Sequence, residues 1–321
     1  MISAGIDIGG TAIKAGLADT ERKALLRFGE ILFPGGGAEK VCEEALALVR
    51  RLTEEEEAAG GQRPAALGVA VPGWVDPEGG SVTNAHNLGL CDVPLKTLLE
   101  ARLPGLPVAL ENDGNAAALG ELYAGALRGT KTAVLLTIGT GLGGGLILGG
   151  KLFRGGQGRG TEPGHMILAQ GGLLCGCGVR GCAETCCSAS WLAEQGRAYM
   201  KKTGAAGLLF QKTGGDPEKV DARAVIEAAA AGEPGAAEIF REYLENLSSL
   251  IASLTNLLDP ELVALGGGVS QAGPVLYEPL VRLVQEKSFY KARYEILPAA
   301  LGNRAGVMGA AFLGAESKSL R

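Results

Sequence analysis

The sequence has few of the features that would place it at once. It has no G-X-Y period and only 14 prolines, so its 52 glycines do not make a collagen. It has no basic patch: 30 Lys and Arg stand against 35 Asp and Glu, a net charge of -5. With a pI near 5.4, that balance argues against a nucleic-acid partner. Residues 1–5 lack the basic n-region, the apolar h-region and the cleavage site of a signal peptide. The charge-free span 132–150 carries seven glycines. Each costs a helix roughly 1 kcal/mol relative to Ala, so the span predicts strand, glycine loop, strand and not a membrane helix. No membrane partner is expected, and the cytoplasm is the expected location. No G-x-x-x-x-G-K-[ST] occurs, so there is no Walker A loop.

Glycine is present in excess: 52 of 321 residues, about 16% against a usual value of about 7%. Hydrophobic residues make up 46% of the chain, and aliphatic runs alternate with charged helical stretches. Such a chain can build a core, so the glycine must serve backbone geometry. Strands are expected at 2–7, 12–18, 25–33, 67–71, 108–110 and 133–138. Helices are expected at 39–59, where Val41, Ala45, Leu48 and Leu52 keep helical spacing, and at 95–102 and 115–127. Residues 134–140 and 145–153 then restate the opening pattern of strand, Thr-bearing glycine turn, strand. Helices follow at 188–203, 222–231, 234–258, 274–286 and 305–316, with strands at 261–265 and 294–297. The repeat predicts a duplicated α/β domain with a cleft between the copies and a boundary near 113–115.

Gly139-Thr140-Gly141-Leu142-Gly143-Gly144 fits G-x-G-x-x-G but runs into a strand, whereas a Rossmann fingerprint opens a helix. Two hairpin turns, one at Gly9-Gly10-Thr11 and one at Gly139-Thr140-Gly141, can instead present backbone amides to phosphate oxygens. Thr11 and Thr140 would add hydroxyl donors, and Asp7 could hold Mg²⁺ through water. Either loop alone is also explained as an ordinary turn. The third cluster, Gly266-Gly267-Gly268, tips the reading towards a nucleotide.

The seven cysteines are unevenly spread, with five of them between 175 and 187. Cys175, Cys177 and Cys182 lie on a glycine-punctuated knuckle, and His165, one of two histidines, precedes them by ten residues. Cys₃His is a closed, structural Zn²⁺ set. Cys186 and Cys187 read as packing residues, although their adjacency leaves the fourth ligand open. A metal-bound His165 would keep its second ring nitrogen for a ligand hydroxyl. Glu162 and Glu184 beside it suggest a polyol grip.

Glu111-Asn112-Asp113 follows a strand and precedes a helix. Asp113 there serves either as the helix N-cap or as a general base at a strand's C-terminal end. As a base it would take the proton of an attacking hydroxyl, with Asn112 holding another hydroxyl.

Taken together, these motifs resemble the ROK family of sugar kinases and repressors, within the hexokinase/actin-like ATPase superfamily. The residues that carry the resemblance are Asp7 to Thr11, Glu111-Asn112-Asp113, Leu135 and Thr137 to Gly141, and Glu162-Pro163-Gly164-His165. Further on they are Cys175 to Glu184, and Leu258-Asp259-Pro260 to Ser270. The resemblance implies an α/β fold of two RNase H-like (actin-like ATPase) domains with a central cleft and a zinc knuckle. The smaller domain would hold 1–113 plus 305–321, and the larger 114–304 with the knuckle at 165–182. It also implies ATP and Mg²⁺ as cofactors, Zn²⁺ as a structural ion, and phosphorylation of the 6-hydroxyl of a hexose.

Asp113 falls on the family's catalytic base. Gly73, Asn87, Asn112, Glu162, His165 and Glu184 fall on sugar-binding positions. Asp7, Gly9, Gly10, Thr11, Lys14, Thr137, Gly139, Thr140 and Gly141 would serve phosphate and Mg²⁺, and Gly267 and Gly268 the adenosine. Gly114 stands where the family often has Ala, and Cys186-Cys187 where bulkier residues are common.

Repressors of this kind carry a helix-turn-helix ahead of the first glycine loop, and seven residues leave no room for one here. A non-catalytic sugar sensor is disfavoured by Asp113. Glucose is the expected substrate, with N-acetylmannosamine, N-acetylglucosamine, fructose and allose as alternatives, since the grip residues are shared. A homodimer or homotetramer is expected. The phosphate hairpins, the knuckle and the adenosine loop would use about fourteen glycines, roughly half the surplus over an average chain, leaving the rest to turns.

Overall fold

The computed structural model describes residues 1–33, 35–76, 80–85, 88–204 and 207–319. The chain opens with an antiparallel meander, β1 (Ile2–Ile8), β2 (Ala12–Asp19) and β3 (Ala24–Leu32), then α1 (Gly37–Ala58) and β4 (Leu67–Val71). α1 buries the face carrying Val41, Ala45, Leu48 and Leu52, the spacing that predicts it. A small antiparallel sheet follows, β5 (Trp74–Val75), β6 (Val82–Ala85) and β7 (Leu90–Val93), and then α2 (Leu95–Arg102), β8 (Val108–Asn112) and α3 (Asp113–Ala124).

The second half repeats the plan with β9 (Ala133–Ile138), β10 (Leu142–Leu148) and β11 (Lys151–Phe153). Its helices are α4 (Glu184–Cys187), α5 (Ala189–Thr203), α6 (Leu208–Thr213), α7 (Ala222–Ala230) and α8 (Pro234–Leu258). β12 (Leu262–Gly266), α9 (Pro274–Lys287), β13 (Glu295–Pro298) and α10 (Ala305–Ser319) complete it.

The two main sheets have the same order. One runs β3-β2-β1-β4-β8 and the other β11-β10-β9-β12-β13. In each, a strand–turn–strand opening is antiparallel, while β4 and β8, or β12 and β13, join parallel to it. Parallel strands buried on both faces read as continuous apolar runs, as β4 and β12 do, with every residue buried. By packing, one compact unit is Met1–Lys131 with Gly145–Thr161 and Ala300–Arg321, and the other is Thr132–Gly144 with Glu162–Ala299. α3, which follows the expected boundary in sequence, packs with α10 inside the first unit.

That packing explains glycines for which turn geometry does not account. A Cβ at Gly309 of α10 would lie 1.6 Å from Ala116 O in α3, and one at Gly120 would lie 2.3 Å from Ala305 O. On the sheet side, a Cβ at Gly5 would stand 2.0 Å from Val307 O, and one at Gly68 1.7 Å from Ala310 O. α10 thus lies backbone-close to β1, β4 and α3, a distance only residues without a side chain permit. Among the described residues, 23 glycines take positive φ and form the turn class; Gly5, Gly68, Gly120 and Gly309 are not among them. No described helix is long and apolar enough to cross a membrane.

Candidate active site

In the first unit the site begins where β8 passes into α3. Asn112 is the helix N-cap, with its Oδ1 accepting the Asn115 N–H at 3.0 Å. The cap role offered to Asp113 therefore belongs to its neighbour, and Asp113 is the first residue of the helix. Its Oδ1 accepts the Gly114 N–H at 2.8 Å, and burial pushes its carboxyl above the ordinary range. The Asn112 amide donates to Gly73 O at 2.9 Å. Gly73 sits at φ +85, where a Cβ would also meet Asn84 O at 2.1 Å, so glycine is required there. Two sequence-predicted residues, 39 apart in the chain, are thereby joined.

Behind them Glu111 is 6% exposed. Its Oε1 accepts from the Asn112 N–H at 3.1 Å and from the Asn115 side-chain amide at 3.0 Å, and its Oε2 pairs with Arg154 Nε at 2.5 Å. Next to Gly73, Arg159 lies 5.0 Å over the Trp74 ring. Sequence reasoning assigns no role to Glu111, Arg154, Trp74 or Arg159, because the pairs Glu111–Arg154 and Trp74–Arg159 join residues far apart in the chain.

Asp7 is the penultimate residue of β1, paired in register with Lys14, whose Nζ lies 3.8 Å from its carboxylate. Burial raises the Asp7 pKa to about 6; Lys14 opposes the shift, and the charges of Asp113 and Glu30 add to it. A Cβ at Gly306 would come within 2.8 Å of the Asp7 carboxyl, so the start of α10 packs directly on this acid. Gly10 and Thr11 are exposed at the turn, which the Gly9 N–H to Ala12 O bond closes at 2.8 Å. Asn87 lies outside the described residues.

The second unit gathers the remaining predicted residues. The β9–β10 turn is closed by the Gly139 N–H to Gly141 O bond at 3.0 Å, and Gly139 O accepts the Ala189 N–H at the start of α5 at 2.9 Å. Thr140 is exposed at its tip, and Thr137 pairs in register with Gly266. Gly267, at φ +81, would place a Cβ 2.1 Å from Ile138 O, so the loop after β12 is pressed against the end of β9. Beyond Gly268 opens a cavity of about 690 Å³, lined in part by Asp221, Arg223, Ile226, Val269 and Gln271. The lining from α7 has no sequence signal, since that helix reads as an ordinary amphipathic one.

Glu162 to His165 turn against β10, where a Cβ at Gly164 would fall 1.8 Å from Leu142 O. One ligand atom from each of His165, Cys175, Cys177 and Cys182 lies within 4.8 Å of the others. Cys177 and Cys182 sulfurs are 3.6 Å apart, and Cys175 Sγ is 3.7 Å from His165 Nδ1. Bond lengths of about 2.0–2.3 Å around a tetrahedral ion require edges of about 3.5–3.8 Å, so this donor set fits a closed metal site. Cys186 and Cys187 stand apart on α4, Cys187 fully buried, and neither joins the cluster. Glu184 begins α4, and its Oε2 accepts the Leu142 N–H at 2.9 Å.

The repeated sheet order, with its paired glycine turns, defines an actin-like ATPase fold. Comparison with known proteins narrows this. The ROK family profile matches residues 3–317, and the chain belongs to the ROK family. It is 36% identical over 310 residues to a glucokinase of Thermotoga maritima, covering 96% of this chain and 95% of that protein. A glucokinase of Streptomyces coelicolor is 34% identical over 319 residues, 98% of each chain. The crystal structure of a ROK family glucokinase from Streptomyces griseus in complex with glucose and AMPPNP superposes with a TM-score of 0.85 at 36% identity. That match covers 98% of this chain and all of that one.

Proposed function

We propose that this chain is an ATP-dependent glucokinase that transfers the γ-phosphoryl group to the 6-hydroxyl of glucose. The observation that carries the reading is the Asn112–Asp113 pair: the cap is supplied by Asn112, and Asp113 keeps a half-buried carboxylate of raised pKa just past a strand end. A carboxyl group so poised is suited to accept the proton of the attacking hydroxyl. The likeness to glucokinases over nearly the whole chain supports glucose ahead of N-acetylmannosamine, N-acetylglucosamine or fructose. It also favours an enzyme over a sugar sensor.

In this reading Asn112, Gly73, Asn87, Glu162, His165 and Glu184 orient the sugar. The backbone amides of Gly10 and Gly141, with the hydroxyls of Thr11, Thr137 and Thr140, hold phosphate oxygens, while the Gly9 and Gly139 N–H groups close the turns that present them. Asp7, paired with Lys14, would hold Mg²⁺, which supplies neutralisation of phosphate charge when bound. Adenosine would enter the cavity beyond Gly267 and Gly268, where the exposed edge of α7 gives it a wall. His165, Cys175, Cys177 and Cys182 would hold Zn²⁺, which is structural because all four positions belong to protein. Phosphoryl transfer asks mainly for positioning and charge neutralisation, and these residues provide both.

The test is ADP release with ATP and Mg²⁺ across a panel of hexoses and N-acetylhexosamines. Glucose is expected to give the highest kcat/KM, and absence of turnover with every sugar overturns the kinase reading. Elemental analysis of the same preparation is expected to find about one zinc per chain.

A further inference from the structure

Glu184 touches two structures that the functional reading treats separately. Its Oε2 accepts the Leu142 N–H, at the base of the glycine turn, at 2.9 Å. Its Oε1 lies 3.4 Å from Cys175 Sγ, one of the four clustered ligand atoms. A Cβ at Gly141 would stand 2.4 Å from Oε2, so the backbone of the turn passes directly over this carboxylate. Glycine at 141 makes the approach possible.

The carboxylate is itself held from the knuckle side. Cys182, a second clustered ligand, lies two residues before Glu184 and forms a bridge with Ile167. The intervening Ala183 donates its N–H to Met166 O at 2.8 Å, and its carbonyl accepts from Cys186 and Cys187 to start the short helix. α4 therefore takes its position from the strand pairing of the knuckle. The far side of the turn is tied through the Ala189 N–H to Gly139 O bond at 2.9 Å, just past the end of α4. The first residue of α4 and the first residue of α5 thus hold the two flanks of the turn.

We propose that Glu184 is a positioning residue which transmits the state of the Cys/His cluster to the glycine turn, so that affinity for a nucleoside diphosphate or triphosphate depends on the metal. This rests on the reading of the turn as a phosphate cradle. Gathering Cys175 and Cys182 on one ion fixes the chain two residues before Glu184, and the Cys175 sulfur, then a thiolate with no proton to give, stands beside Oε1 and turns the carboxylate towards the Leu142 amide. That leaves the carboxylate a single place from which to hold the Leu142 amide. Without that restraint the turn loses its anchor, and amides that must converge on phosphate oxygens disperse.

The experiment measures ADP binding by calorimetry, with Mg²⁺ and without sugar, on the zinc-loaded protein, the chelated protein, Glu184→Ala and Glu184→Gln. Hydrogen exchange of the peptide spanning 139–146 is followed in parallel. Loss of a charge-assisted hydrogen bond that orders a ligand-binding turn is expected to raise the ADP Kd about tenfold or more, on chelation and in Glu184→Ala. Exchange at Leu142 should quicken while β1 and β4 keep their protection. Glu184→Gln retains an acceptor oxygen and should fall between. Glu184→Ala leaves all four ligands intact, so it decides the matter even if chelation unfolds the chain. An ADP Kd within about twofold of the starting protein, with unchanged exchange at 139–146, overturns the coupling. If the zinc-loaded protein binds no ADP at all, the nucleotide reading fails, while exchange at Leu142 still reports whether Glu184 links knuckle and turn.

Discussion

Asn112 and Asp113 divide two duties that compete for one residue at the start of a helix. Asn112 gives its Oδ1 to the Asn115 N–H at 3.0 Å and its amide to Gly73 O at 2.9 Å. Asp113, one position further on, accepts the Gly114 N–H at 2.8 Å. An aspartate used as a cap would be held in its charged form; one relieved of that task and buried has its pKa raised instead.

Asp113→Asn is therefore expected to lower kcat by about 10²–10⁴-fold while glucose binding stays measurable. The raised pKa sets the direction of the pH dependence. A base works deprotonated, so kcat/KM should fall as pH drops through the Asp113 pKa, above the value near 4 of a solvated carboxylate. A profile that stays flat until the ordinary carboxylate range is reached would remove Asp113 as the base.

Asn112→Ala should cost about 1–2 kcal/mol from the lost cap alone, read as a lower urea midpoint. Asn112→Asp restores an acceptor for the Asn115 N–H but not a donor to Gly73, and should recover part of the loss. Equal stability of all three proteins would show that α3 does not depend on this cap.

Asp7 offers a test of opposite sign. Its folded pKa of about 6 exceeds the ordinary value of 3.8, so the native state binds more protons than the unfolded chain between those two values. Stability from this group consequently declines as pH rises through that window. Asp7→Asn, measured without Mg²⁺ or nucleotide, should stabilise the fold at pH 7 by about 1–3 kcal/mol, with little gain below pH 4. A variant less stable than the parent at pH 7 would refute this.

For α10, Gly309→Ala forces a methyl onto Ala116 O and should destabilise by about 1–3 kcal/mol or more. Gly156 has no atom within 4 Å of a would-be Cβ, and Gly156→Ala should stay within about 0.5 kcal/mol. Thermal melts of the two variants make the comparison.

Much of this architecture is legible in the sequence where a single period runs long enough. Leu67–Val71, Ala133–Ile138, Leu95–Arg102 and Pro234–Leu258 have the bounds that their patterns predict. The repeat of strand, glycine turn, strand predicts a duplicated α/β plan, and the two main sheets have one strand order. The small sheet of Trp74–Val75, Val82–Ala85 and Leu90–Val93 is not anticipated, because strands of two to four residues have no period to read. Helix α3 starts at Asp113, two residues before the expected 115, since the residue that caps it is Asn112. The Cys/His cluster is legible because its four residues are close in sequence and chemically distinctive. The Glu111–Arg154 pair and the stack of Arg159 on Trp74 join residues tens of positions apart, and only the fold discloses them.

The position of α10 has a consequence for how the polypeptide comes into being. Its glycines seat it against β1, β4 and α3, all of which leave the ribosome long before residues 305–319 exist. The first unit thus begins synthesis early but must wait, one face of its sheet bare, while 132–144 and 162–299 are made. The second unit has every one of its segments available sooner and can consolidate first. A chain that folds as its segments appear would complete the second unit first and would need its uncovered apolar face shielded until α10 is made.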